Sequence, residues 1–285
     1  MKLSNYHRPT SLDQAFALMQ DSPRAQYVAG GTDLMVRLCA AGAAPRPEAL
    51  VSLRRIAAMQ GIDDAGPLRI GAGTRLAELV NNAVIGRTFP ELLAAAWAIG
   101  SPQIRSVATV GGNLANASPC ADLAPPLQAA GARVEIRGPD GKRVLPLEEF
   151  FIGPRQTCLT RGEILVAVLL DPPEPTSRAL YLRRSRVRMD LAQVSVAVRL
   201  DRREGRCHAV RIAAGAVAPT PLRLPRAEAL LVGRAINEEV IAAAAERARE
   251  EIAPISDLRA SADHRRQLTG VLVRRALARL AAEES

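Results

Sequence analysis

The hydrophobic pattern near the N-terminus predicts a small βαβ unit. Apolar residues between positions 12 and 19 recur at the i, i+3, i+4 and i+7 spacing of one helix face. A short apolar strand at residues 26–29 then ends in a Gly-Gly turn, a helix is predicted over 33–39, and a second strand lies at 50–53. Two strands joined through a helix pair in parallel, so this segment predicts a parallel sheet.

The next part of the chain, up to residue 170, predicts helices and strands around one irregular segment. Residues 101–120 show little periodicity, and a connection of this length inside a compact domain is usually functional. The turn-forming residues 138–141 separate two short strands and predict a β-hairpin. The other predicted elements are strands at 68–72 and 164–170, a helix from Thr74, and helices over 90–100 and 121–130.

A proline-rich segment, Asp171–Pro175, predicts the boundary between two domains. Three prolines within five residues are typical of a semi-rigid linker. Beyond it, alternating valines at 194–198 and apolar residues at 210–214 predict two antiparallel strands. Three helices are then predicted at 225–231, 238–252 and 263–281. This C-terminal part is therefore predicted to be α+β.

Composition narrows the class of protein. With 285 residues, 48% hydrophobic and 24% charged, the chain has the composition of a globular protein of about two domains. No apolar run approaches the ~20 residues that cross a bilayer, and the N-terminal residues lack the apolar core of a secretory signal. The sequence therefore predicts a cytoplasmic protein with no membrane span.

The four cysteines argue against a metal centre on this chain. Cys39, Cys120, Cys158 and Cys207 lie too far apart for a metal finger or for the ligand spacing of an iron–sulfur cluster. Scattered thiols of this kind are typical of a reducing compartment. We therefore expect no metal site here.

The net charge of +9 is almost entirely arginine, since Lys2 and Lys142 are the only lysines. A basic chain suggests nucleic-acid binding, but arginines spread evenly along a sequence are more typical of a solvated surface or of an interface with acidic partners. Aromatic residues are only 3%, too few for base-stacking platforms. We therefore expect no nucleic-acid partner.

Two glycine-containing segments carry the candidate chemistry. The first glycine segment, Val28–Leu34, places Gly30 and Gly31 between a strand and a helix, where backbone N–H groups can surround an anion such as a pyrophosphate. An ordinary strand-to-helix turn fits that segment equally well. The second glycine segment, Thr109–Asp122, adds another Gly-Gly pair, small polar side chains and a carboxylate at a helix start. Together they predict a long ligand that is held at two places.

Other common sites are absent from the sequence. No GxGxxG fingerprint and no P-loop are present. His7, His208 and His264 are far apart, and no Ser/His/Asp or Cys/His set follows from the spacing. We therefore predict no catalytic side chain.

In order along the chain, several motifs resemble the FAD-binding medium-subunit family of the molybdenum hydroxylases, of the xanthine dehydrogenase and carbon monoxide dehydrogenase type. The resemblance covers nearly the whole sequence. It implies an α+β fold in which a vanillyl-alcohol-oxidase (PCMH)-type FAD-binding domain, residues 1–173, has subdomains at about 1–56 and 57–173. A C-terminal domain at 174–285, with a three-stranded antiparallel sheet and helices, would follow. The motifs lie at residues 29–34, 109–126, 150–157, 162–165, 189–195, 218–221 and 261–266.

The resemblance also implies a set of FAD contacts. The first glycine segment would surround the pyrophosphate, Asp122 would lie on the sugar-phosphate region, and Leu165 would meet the isoalloxazine through its backbone. Arg183 would place a cation near the flavin, although residues 184–188 depart from the family pattern by about one position. The implied cofactor-binding residues are Val28, Ala29, Gly30, Gly31, Thr32, Asp33, Leu34, Ala108, Thr109, Gly112, Asn113, Asp122, Leu165 and Arg183.

The same resemblance implies a role in electron transfer. The chain would take electrons from a 2Fe–2S small subunit and pass them to an acceptor such as NAD or a quinone. A molybdopterin large subunit would complete a heterotrimer, with dimerisation of that trimer left open. The substrate, the acceptor and the stoichiometry do not follow from the sequence.

Two alternatives stay open at this point. The chain could be a free-standing flavin oxidoreductase of the same fold, or a basic binding module without catalysis. Individual side chains also have simple structural readings, because Asp33 and Asp122 are common types of helix cap and Arg183 could form a surface pair.

Overall fold

The computed structural model describes residues 5–40 and 46–282. The chain begins with a three-stranded parallel sheet in the order β1-β3-β2. The predicted βαβ unit is present, since β2 and β3 pair in parallel on either side of a helix; β1 adds an edge strand that the sequence analysis did not identify. The elements are β1 (Asn5–His7), α1 (Leu12–Asp21), β2 (Ala25–Val28), α2 (Leu34–Cys39) and β3 (Ala49–Ser52).

A five-stranded antiparallel sheet follows, in the order β4-β5-β10-β6-β7. The predicted hairpin forms β6 and β7. Strand β10 is central and buried, which explains its continuous apolar run. The strands of this sheet are β4 (Ile62–Asp63), β5 (Leu68–Gly71), β6 (Arg133–Gly138), β7 (Gly141–Pro146) and β10 (Ile164–Leu170). Strands β8 (Phe151–Gly153) and β9 (Gln156–Thr157) form a separate short hairpin.

Six short helices lie between β5 and β6, and two of them correct the sequence analysis. Residues 101–120, predicted as a loop, contain α6 and α7. Hydrophobic periodicity does not reveal these short helices, because side-chain caps mark where they begin. Ser101 Oγ accepts from Ile104 N–H at the start of α6, and Thr109 Oγ1 accepts from Gly112 N–H at the start of α7. The helices are α3 (Leu76–Val80), α4 (Ala83–Thr88), α5 (Pro90–Ala98), α6 (Pro102–Arg105), α7 (Val110–Ala115) and α8 (Ala124–Ala129).

The C-terminal part is an antiparallel sheet covered on one face by helices. Three long strands form the predicted sheet, and the two-residue strand β14 extends it in the order β11-β12-β13-β14. The connection between β10 and β11 contains the proline-rich segment. The elements are β11 (Ser177–Arg184), β12 (Val194–Arg203), β13 (Arg206–Gly215), β14 (Leu222–Arg223), α9 (Pro225–Ala229), α10 (Glu238–Glu250) and α11 (Ala262–Ala282).

The two faces of this C-terminal sheet belong to two different cores. Val196, Val198 and Ile212 pack in a C-terminal core with α10 and α11. Tyr181 and Ala197, which are paired across β11 and β12, instead belong to the core of the N-terminal part. Because side chains alternate along a strand, one sheet serves both cores and joins the two parts of the molecule through a packed face.

Among the described residues, no helix combines the length and the apolar character needed to cross a membrane.

Candidate functional site

A cleft with a cavity volume of about 270 Å³ lies between the two glycine segments. The β2–α2 turn forms one wall, the start of α7 forms the second, and the start of β10 contributes a third. Twelve of the fourteen residues expected to bind the cofactor line this cleft: Val28, Ala29, Gly30, Gly31, Thr32, Asp33, Leu34, Ala108, Thr109, Gly112, Asn113 and Leu165.

The first glycine segment presents unused backbone donors. Gly31 has a left-handed backbone, with φ of 75°, which turns the chain between β2 and α2. Among the described residues, the N–H groups of residues 30–34 donate no hydrogen bond. The next N–H along the chain, that of Met35, donates to the Gly31 carbonyl. Consecutive free N–H groups around such a turn form a concavity that suits an anion.

At the base of the cleft, the first glycine segment packs against the two residues just before the second. A Cβ at Gly30 would lie 2.2 Å from the carbonyl oxygen of Val107 and 2.8 Å from the Cα of Ala108. A Cβ at Gly111 would meet the Cβ of Ala72 at 2.5 Å. Glycine is therefore required here because backbone packs directly on backbone.

The second glycine segment contributes a polar side chain that has an unused hydrogen-bond acceptor. Thr109 caps α7, and its own position is fixed because Val110 N–H donates to the Thr74 carbonyl at 3.0 Å. The side-chain oxygen Oδ1 of Asn113 is buried and has no hydrogen-bond partner. A buried acceptor without a partner is costly, and Asn113 is one of the residues that line the cleft.

Apolar side chains line the rest of the cleft. Leu53, Met59, Leu76, Ile99, Ile104 and Leu159 join Leu165 around the polar glycine segments. The site therefore combines an anion-binding turn with an apolar chamber, and this suits a ligand with a charged centre and flat aromatic ends.

Asp122 and Arg183 contact each other and do not line this cleft. Arg183 Nε donates to Asp122 Oδ1 at 2.9 Å, and the Tyr181 hydroxyl donates to the same oxygen at 2.6 Å. Burial raises the pKa of the Asp122 carboxyl, and the charge of Arg183 opposes that rise. The contacts of these two residues with a cofactor stay predictions. In the structure, their ion pair connects the residues just before α8 to strand β11.

The sequence analysis missed the polar residues around the mouth of the cleft. Arg37 forms an ion pair with Asp33 Oδ2, and Arg155 donates to that same oxygen and to Asn116 Oδ1. The Tyr27 hydroxyl donates to the Gly162 carbonyl at 3.1 Å and so ties β2 to the start of β10. These partners are up to 135 residues apart in sequence, and no local spacing signals them.

Glu163, immediately before β10, forms a two-pronged pair with Arg143. Arg143 Nε and NH2 donate to its two carboxylate oxygens at 2.9 and 2.8 Å, and Thr160 N–H donates at 2.7 Å. The hydrogen bonds from Arg143 lower the pKa of Glu163 from 4.5 to about 2. A lowered pKa means that the pair stabilises the fold fully above pH 4.5 and loses this effect as the pH falls towards 2.

We therefore expect Glu163→Gln to lower the free energy of unfolding by about 1 kcal/mol at pH 7. The difference from the wild type should shrink progressively below pH 4.5 and vanish near pH 2. Urea unfolding of the protein at several pH values measures this difference. Glu149→Gln, at an exposed glutamate, is the matched control. An equal, pH-independent loss in both variants would contradict the ion-pair explanation.

Two family models match this chain. The model described as the FAD binding domain in molybdopterin dehydrogenase matches residues 2–173, and the model described as the CO dehydrogenase flavoprotein C-terminal domain matches residues 179–280. The two matches leave few described residues uncovered.

Full-length relatives give the same result. The xanthine dehydrogenase FAD-binding subunit of Escherichia coli O157:H7 is 34% identical over 279 residues, which cover 96% of this chain and 94% of the relative. The carbon monoxide dehydrogenase medium chain of Afipia carboxidovorans is 34% identical over 277 residues and covers 96% of each. A solved structure of a cyanide-inactivated Cu,Mo-CO dehydrogenase aligns with a TM-score of 0.93, at 33% identity, over 99% of both chains. These matches confirm the predicted fold.

Proposed function

Because this chain belongs to the family of FAD-binding medium subunits of the molybdenum hydroxylases, we propose that it holds FAD in the cleft between its glycine segments and relays electrons between partner subunits and an acceptor. Membership of the family makes the chain an oxidoreductase subunit that binds FAD, as the sequence analysis predicted. The proposal adds where FAD binds, which subunit supplies the electrons and what receives them.

The unused N–H groups of residues 30–34 carry the proposal for the binding site. Among the described residues they donate no hydrogen bond, they belong to residues that line the cleft, and a pyrophosphate offers several negatively charged acceptors to them. The unpartnered Oδ1 of Asn113 on the opposite wall gives an acceptor for a hydroxyl or amide donor of the same ligand. The residues present therefore fit a dinucleotide whose centre is an anion.

The apolar chamber suits the flavin ring. Leu165 is the second residue of strand β10, whose ladder with β6 shifts register between Leu165 and Ala167, so the backbone around Leu165 does not form a regular ladder. Such an irregularity leaves main-chain groups at the edge of the cleft available to a ring with its own donors and acceptors. The surrounding leucine, isoleucine and methionine side chains exclude water from the ring.

No side chain of this chain needs to move a proton in the proposed role. FAD, when bound, supplies both one-electron and two-electron redox chemistry. The protein's own contribution is to bind the phosphates, orient the ring and exclude water.

We propose a 2Fe–2S small subunit as the electron donor and a molybdopterin large subunit as the site of substrate oxidation. The names of the relatives support assembly, since they are described as a subunit and a medium chain. The acceptor is proposed to be a soluble or membrane electron carrier such as NAD or a quinone.

Purification of the tagged chain from its own cells tests this function. We expect about one FAD per chain, together with two further chains that bring iron–sulfur absorbance and molybdenum. Mixing the reduced complex with NAD⁺, a quinone or oxygen then identifies the acceptor from the rate of flavin reoxidation. A yellow chain that purifies alone and oxidises a substrate directly would favour the free-standing flavoenzyme, and a colourless chain would contradict the proposal.

A further inference from the structure

Arg155 occupies the tip of the β8–β9 hairpin in a conformation that glycine normally takes. Its φ is 59°, in the left-handed region, although it is neither glycine nor asparagine. Its backbone N–H donates to the carbonyl of Ala117 at 2.8 Å, and Ala117 is itself left-handed with φ of 44°. Two non-glycine residues in this region cost free energy, so strain is concentrated where the hairpin meets the second glycine segment.

The side chain of Arg155 joins the two glycine segments. Its NH1 group donates to Asp33 Oδ2 at 3.2 Å and to Asn116 Oδ1 at 3.1 Å. Asp33 lies in the first glycine segment, and Asn116 follows α7 in the second. The only other ion pair of Asp33 among the described residues is with Arg37 at 2.8 Å, which lies one turn along the same helix and makes no link between the segments.

The cleft is therefore held together at two levels. At its base, Gly30 packs against the backbone of Val107 and Ala108. At its solvent-exposed side, where Asp33 and Arg155 are 43% and 51% exposed, the Arg155 side chain is the connection. Arg37 and Arg155 also offset the negative charge of Asp33, which would otherwise repel an anion bound to the neighbouring N–H groups.

We propose that Arg155 is a positioning residue for FAD: it holds the two glycine segments at the separation that binds the cofactor, and it neutralises Asp33 beside the phosphates. This inference rests on the proposed FAD cleft. It assigns Arg155 no contact with the redox ring and no part in moving electrons. The residue acts on how tightly and for how long FAD is held.

The left-handed backbone of Arg155 provides a test in which the thermal stability of the protein and its affinity for FAD change in opposite directions. Arg155→Gly relieves the strain at φ of 59° and removes the side chain. We expect the flavin-free variant to unfold at the same temperature as the wild type or higher. Its Kd for FAD, measured by flavin fluorescence, should rise by about five- to thirty-fold, with faster FAD release. A residue that only supported the fold would not separate these two results.

Two companion variants sharpen the experiment. Glu204→Gly is the matched control, because Glu204 is also left-handed, with φ of 53°, at the tip of the distant β12–β13 hairpin. It should leave the Kd for FAD unchanged. Arg155→Lys keeps one positive charge and should recover part of the lost affinity, since a lysine can reach one acceptor without spanning both.

Coupling to Asp33 identifies the partner. Asp33→Asn removes the charge that Arg155 offsets, so the double variant Asp33→Asn/Arg155→Gly should bind FAD less weakly than the product of the two single effects. An Arg155→Gly chain that binds FAD within twofold of the wild type would overturn the inference. If FAD affinity were instead unaffected by disrupting Gly30 at the base of the cleft, the proposed binding site itself would be wrong.

Discussion

Gly30→Ala is expected to abolish FAD retention while the C-terminal sheet and its helices stay folded. The added Cβ would lie 2.2 Å from the Val107 carbonyl oxygen and 2.8 Å from the Ala108 Cα. Both are backbone atoms, which cannot rotate away as a flexible side chain would. The two glycine segments must therefore separate, and this displaces the N–H groups of residues 30–34 from Asn113 on the opposite wall.

The expected loss of FAD affinity is large because a ligand held at two places needs both binding places at the correct separation. Overpacking of rigid contacts typically costs about 1–3 kcal/mol in stability, but misplacing one wall removes several hydrogen bonds to a charged ligand at once. We expect FAD binding to weaken by at least about a hundredfold, which corresponds to about 2.7 kcal/mol. The purified variant should be nearly colourless.

Gly66→Ala is the matched control for this substitution. Gly66 lies in the turn between β4 and β5, and a Cβ there would meet nothing within 4 Å. The control should keep about one FAD per chain. Flavin content, with hydrogen-exchange protection of β12 to show that the C-terminal sheet is intact, measures the outcome. A Gly30→Ala chain with normal flavin content would contradict the assignment of the cleft.

Local sequence patterns predicted the parts of the site that are formed by residues close together in the chain. The Gly-Gly turn after a strand, the helix that follows it and the second glycine pair are all short-range features, so the sequence analysis placed both walls of the cleft. It could not place Arg155, whose partner Asp33 is 122 residues away, or the Tyr27–Gly162 contact. Such contacts depend on how distant elements pack, and packing leaves no periodic signal in the sequence.

Helices α6 and α7 show a different limit of sequence patterns. Helix α7 packs closely through glycine, as where Gly111 meets Ala72, and a single hydroxyl cap fixes the start of each helix. A helix that packs backbone against backbone has no need of an apolar face, and hydrophobic periodicity therefore misses it.

Asp122→Ala is expected to lower the free energy of unfolding by about 3–5 kcal/mol, the typical cost of leaving a buried charge without its partner. The side chains of Asp122 and Arg183 are only 8% and 10% exposed. Removing the carboxylate leaves the Arg183 guanidinium buried with backbone carbonyls, including that of Arg188, as its main acceptors, and leaves the Tyr181 hydroxyl without its acceptor. Since Tyr181 packs in the core of the N-terminal part, the damage falls on the contact between the C-terminal sheet and that core.

Asp122→Asn separates a structural role from a direct contact with FAD. The asparagine keeps an acceptor for Tyr181 and loses the charge that pairs with Arg183, so the variant should fold with an intermediate loss of stability. If Asp122 acts through Arg183 and Tyr181 alone, the Kd of folded Asp122→Asn for FAD should stay within about threefold of the wild type. Tyr181→Phe should cost about 1 kcal/mol with the same unchanged affinity. A Kd that rises tenfold or more in Asp122→Asn, with little loss of stability, would instead place the carboxylate on the cofactor, as the sequence analysis predicted.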